Sequence, residues 1–145
     1  MIRDPFLETL HADGPAPDRA AQMMLYGQFA GSWGGTLKYL DAEGIRRETT
    51  AEVYFGWVLE GRAIQDAWIA PARQGRKDGE PLLMHGSTVR VFDPQNDIWH
   101  ITWINPVKQA INRMTGRKVG DEIIQEYRAE DGKRCQWLFT EITRD

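Results

Sequence analysis

The rhythm of apolar and polar positions changes once along this chain, near residue 31. Before it, Asp4-Pro5 followed by Phe6, Leu7 and Leu10 predicts a short helix, with Asp4 as N-cap and Pro5 in the first helical position. Asp13-Gly14-Pro15 ends that helix. A second is predicted from about Pro17 to Tyr26 or Gln28, because Ala20, Met23, Met24 and Gly27 share one stripe and Asp18 sits in the first turn. Gly31 closes the helical pattern.

From Trp33 onward the period is two, broken by turn signals at short intervals, which is the pattern of strands joined by hairpins. Eight strands are predicted, at about Trp33–Leu40, Arg46–Leu59, Arg62–Ile69, Ser87–Phe92, Ile98–Ile104, Gln109–Arg117, Glu122–Arg128 and Arg134–Ile142. The turns between them carry Asp41 to Gly44, Glu60-Gly61, Asp93 to Asp97, Asn105-Pro106, Gly120-Asp121 and Asp131-Gly132. The stretch from Pro71 to Pro81 has no period and many charges, and reads as a flexible connection. Successive hairpins without crossover helices imply an all-β antiparallel meander. Eight strands can escape the exposed-edge problem by closing into a single barrel, 31–145, on which the helical segment 1–30 packs; nearest-neighbour hairpins favour this over the alternative of a two-layer sandwich.

Composition narrows the function classes. The 145 residues suit one domain with its own core. Eighteen basic against 21 acidic side chains give a net charge of -3 without any basic run, so nucleic acid is not an expected partner. No long apolar stretch opens the chain, which predicts neither a secretory signal nor a spanning helix, and hence a cytoplasmic protein without a membrane partner. Cys135 is alone and can form no internal disulfide. Six Trp, five Phe and four Tyr are a heavy aromatic load that suits pleated, half-buried surfaces.

The junction Phe29-Ala30-Gly31-Ser32-Trp33-Gly34-Gly35 resembles the Gly-x-Trp opening of lipocalins and other calycins. In that family the Trp plugs the closed end of the barrel and an arginine after the last strand packs over it. The resemblance assigns these roles to Trp33 and Arg144, with Gly31 as the turn into the first strand. The blocks Trp57 to Trp68, Thr88 to Pro94 and Trp99 to Trp103 are also similar to a group of uncharacterised bacterial lipocalin-like proteins. That similarity implies a fold and no activity.

Alternation then selects candidate residues. Phe55 and Trp57 in the second predicted strand, with Trp99, Ile101 and Trp103 in the fifth, are the better lining for an apolar interior. If Trp68 points inward, Asp66 goes with it and needs a partner, either Arg90 or His100. His100 and Trp99 have opposite parity, so only one of them faces in. The three histidines lack metal-ligand spacing, and no nucleophile elbow, phosphate loop or dinucleotide fingerprint is present. The expected function is binding of a small, mainly apolar molecule with one polar end, without a cofactor. The alternatives are a small isomerase or hydrolase built on Asp66, His100 or Arg90, a haem protein using His85 or His100, and a homodimer that shares a strand.

Overall fold

The computed structural model describes residues 4–143. Helix α1 (Pro5–Leu10) begins on Asp4, whose carboxylate accepts from the backbone N–H of Phe6 at 2.9 Å and of Leu7 at 3.4 Å. None of its residues is buried, so this single turn and a half rests on its cap and not on packing. The two-residue strand β1 (His11–Ala12) follows directly, so segment 1–30 is not helical throughout. A 3₁₀ turn at Pro17–Arg19 leads into α2 (Ala20–Gly27), which buries Met23, Tyr26 and Gly27. Met24, expected on the same stripe, is exposed.

The remaining strands are β2 (Gly31–Leu40), β3 (Arg46–Val58), β4 (Ala63–Ala70), β5 (Met84–Asp93), β6 (Ile98–Asn105), β7 (Ala110–Val119), β8 (Glu122–Arg128) and β9 (Arg134–Phe139). All pairings are antiparallel, and from β3 to β9 each strand pairs with the next in sequence. On its other edge β3 carries β2 along Arg46–Phe55 and β1 opposite Trp57 and Val58. The protein is therefore an all-β meander with few helical residues. Asp41 shows why a hairpin forms locally: its carboxylate accepts from the N–H groups of Glu43 and Ile45, each at 2.9 Å, and pairs with Arg47. At the β3–β4 turn Gly61 has φ +76°, and a Cβ there would strike the Gly14 carbonyl and the Ala16 nitrogen. That close approach lets Ala16 N–H donate to Gly61 O at 3.0 Å and stitches the N-terminal segment to the sheet.

The sheet is rolled. In a flat sheet β5 and β8 would lie roughly 14 Å apart, three strand spacings. Yet Arg90 on β5 donates to Gln125 on β8 at 3.0 Å, and the rings of Trp103 on β6 and Trp137 on β9 are 5.7 Å apart. The inner face of the roll holds Val53, Phe55, Trp57, Ile64, Phe92, Trp99, Ile101, Trp103, Met114 and Ile123, packed with Met23 and Tyr26 of α2.

Three expectations are corrected. The ladder does not close: among the described residues β9 and β2 form no pair, and both strands are largely exposed. Trp33 is not a buried plug, being 48% exposed with its indole N–H donating to Phe29 O at 2.7 Å, because no strand covers the far side of β2. Arg144, its expected cover, lies outside the described residues. The connection from 71 to 83 is tied down: Arg73 bonds Glu52 through both its backbone and its guanidinium, and Ala72 N–H donates to Thr50.

Candidate functional site

Strand parity brings four polar side chains onto the inner face. Asp66 of β4 lies opposite Thr88 of β5, Arg90 follows two positions later, and Gln125 reaches across from β8. Asp66 Oδ2 accepts from Arg90 Nη1 at 2.6 Å, with both side chains essentially inaccessible, and Asp66 Oδ1 accepts from the backbone N–H of Thr88 at 2.8 Å. Arg90 Nε donates to Gln125 Oε1. The guanidinium carbon lies 4.7 Å from the Tyr26 ring centroid, 5.4 Å from Phe55 and 5.8 Å from Phe139, so three aromatic rings surround the cation.

This network is incomplete in a particular way. Thr88 Oγ1 and Gln125 Nε2 are buried and have no hydrogen-bond partner, and the Tyr26 hydroxyl is buried with the Arg90 guanidinium beside it. Buried polar atoms in native proteins are nearly always paired, and leaving one unpaired costs about 1–3 kcal/mol. Burial pushes the Tyr26 hydroxyl well above its ordinary range, against the pull of the nearby Arg90 charge. Its oxygen rests against Gly116, where any Cβ would collide with it.

A cavity of about 290 Å³ is lined by the two residues that carry the buried unpaired atoms, Thr88 and Gln125. Its floor is Thr88, Arg90 and Gln125, and its walls are Trp68, Trp103, Trp137, Met84, Leu37 and Phe139. The space depends on Gly86, against which the Trp103 ring lies so closely that a Cβ would overlap it. Other hollows, like this one, open to solvent. One, about 980 Å³, lies between α2 and the β7–β8 hairpin and is rimmed by Arg117, Lys118, Asp121 and Glu122. Another, on the outer face, gathers His100, Arg113, Glu126, Arg128 and Arg134. Each mixes both signs of charge.

Compared with known protein families, curated proteins and solved structures, the chain matches none. Its functional reading therefore rests on this geometry alone.

The candidate residues divide in two. Trp68, Arg90 and Trp103 line the cavity, and Asp66 stands directly behind Arg90. Phe55, Trp57, Trp99 and Ile101 are buried and do not line that cavity: Trp57 lies against Gly27, and Trp99 meets Tyr26 edge-on at 4.9 Å and borders the hollow beside α2. α2 covers that end of the interior and leaves the cavity at the other. His100 does not join Asp66. It points outward, 58% exposed, with its Nε2 3.0 Å from Asp93.

His85 is likewise exposed, and neither imidazole lines the cavity. Among the described residues no group of three or more His, Cys, Asp or Glu could hold a metal, and no helix is long and apolar enough to cross a membrane. Sequence reasoning passed over Thr88, Gln125, Met84, Leu37, Trp137 and Phe139. Parity marked Thr88 through Arg90 and Gln125 through Ile123, but nothing local placed β8 opposite β5.

Proposed function

We propose that the protein is a lipocalin-like binding module whose rolled sheet is a barrel with an open seam between β2 and β9, and which holds one small, mainly apolar molecule with a polar end. The observation that carries this reading is the cavity's division into three tryptophan walls and a floor of buried polar atoms, two of them without partners. Apolar pockets with a few convergent polar groups are the usual form of small-molecule sites. The volume is roughly twice the ~150 Å³ that houses a single benzene ring, which sets the guest at one or two fused rings. Among the described residues lining the cavity, Arg90 is the charged one and no acid–base pair accompanies it, which favours binding over catalysis.

The test is titration with 2-acetylnaphthalene, a neutral bicyclic ketone, followed by tryptophan fluorescence. Saturable binding of one molecule per chain is expected, and Leu37→Asp, which puts a charge on the apolar wall of a half-buried edge strand, should abolish it. Binding unchanged in Leu37→Asp, or none in the parent protein, would overturn the reading.

A further inference from the structure

From the bonding inventory of the cavity floor, and resting on the binding role just described, we infer that the polar end of the guest is a neutral carbonyl oxygen and not a carboxylate or an amine. The floor offers donors. Gln125 spends its oxygen on Arg90 Nε, leaving Nε2 with two N–H bonds and no partner. Thr88 Oγ1 has no partner either. Arg90 has five N–H bonds, of which Gln125 and Asp66 account for two. The one strong acceptor nearby, the Asp66 carboxylate, already receives Arg90 and the Thr88 backbone and does not line the cavity. Gln125 Nε2 can be met only by an acceptor, whereas an ammonium group could donate to the Thr88 hydroxyl at most and would leave that amide unpaired beside the Arg90 cation.

Charge decides between the acceptors. Arg90 is the single charged residue lining the cavity, and Asp66 lies 2.6 Å from it, so the floor has no net charge. A carboxylate moved there would lose its hydration and gain no uncompensated cation, an exchange that buried ions do not recover. A ketone, aldehyde, ester or amide carbonyl carries two lone pairs in one plane and no net charge. Such an oxygen can accept from the Gln125 amide or the Thr88 hydroxyl at little desolvation cost.

The experiment compares four probes on one scaffold: 2-acetylnaphthalene, 2-naphthoate, 2-(aminomethyl)naphthalene and 2-ethylnaphthalene, each titrated by calorimetry. The ketone is expected to bind about tenfold tighter than the hydrocarbon and than either ion. Thr88→Val should remove about tenfold of the ketone's affinity while leaving 2-ethylnaphthalene within about twofold. Because that change replaces an unpartnered hydroxyl with a methyl, it should not lower the melting temperature. Asp66→Asn, in which Arg90 loses its counter-charge, should turn the preference toward 2-naphthoate.

Equal affinity for ketone and hydrocarbon, a preference for either ion in the parent protein, or a Thr88→Val variant that binds the ketone as before would overturn the inference while leaving the binding role intact. Failure of all four probes would remove the binding role and the inference with it.

Discussion

Asp66 and Arg90 put opposite charges where an apolar pair would be at least as stable, since desolvating two ions costs several kcal/mol that their attraction only partly returns. Breaking the pair is a different matter, because the survivor stays buried and unpaired. Asp66→Asn is accordingly expected to destabilise the protein by about 3–5 kcal/mol, whereas the double change Asp66→Leu with Arg90→Met should restore most or all of that. Urea denaturation measures both. A wild-type midpoint for Asp66→Asn would show that the ion pair is not sealed from water.

On the surface, Asp93 organises the β5–β6 turn. It accepts from the Asn96 side chain and from His100, and from the N–H groups of Gln95 and Asn96, and these bonds hold its pKa at about 2 against an ordinary 3.8. A depressed carboxylate stabilises the fold above its unfolded pKa and loses that contribution as pH falls through the folded one. The stability advantage of the parent protein over Asp93→Asn should therefore be constant above about pH 5 and shrink between about pH 4 and pH 2, as followed by melting temperature. An advantage that persists unchanged to pH 2 would rule out the carboxylate as its source.

Helices α1 and α2 show how differently two short apolar segments are used. Phe6 and Leu7 on α1 remain 70% and 56% exposed, while Met23 and Tyr26 on α2 are wholly buried over Trp99 and the Arg90 cluster. Replacing both Phe6 and Leu7 by Ala should change stability by no more than about 0.5 kcal/mol per site, and Met23→Ala should cost about 2–5 kcal/mol. Comparable losses at both helices in chemical denaturation would mean that α1 is docked. The β5–β6 pair is equally demanding at Gly86, where a methyl group meets the Trp103 ring and the Ile104 carbonyl. Gly86→Ala is expected to cost about 1–3 kcal/mol and to weaken 2-acetylnaphthalene binding, because Trp103 is a cavity wall.

Across the whole molecule, the rolled sheet is tight from β3 to β8 and loose at its seam, where β2 and β9 have free edges. Amides of β2 and β9 should exchange with deuterium well before those of β4, β5 and β6. Alternation made the strands legible and separated their two faces, with Val53, Phe55 and Trp57, or Trp99, Ile101 and Trp103, as the more apolar set, but which face turns inward was settled only by the packing of the rolled sheet. Parity marked Asp66 as needing a partner but left Arg90 and His100 as alternatives, and the structure puts Arg90 there and His100 on the outer face. The roll was not legible. It is set by contacts such as Arg90 with Gln125, 35 positions apart, and a glutamine two places after an isoleucine carries no local mark of its partner.

The same limit separated the tryptophans: all of 57, 68, 99 and 103 read as lining, but only the placement of α2 decides which of them pack and which face a cavity. The indole N–H resonances of the six tryptophans distinguish these cases most directly. On titration with 2-acetylnaphthalene, the signals of Trp68, Trp103 and Trp137 should move and saturate together while those of Trp57 and Trp99 stay in place. Shifts confined to Trp57 and Trp99, or no saturable shift at any of the three cavity walls, would contradict the site.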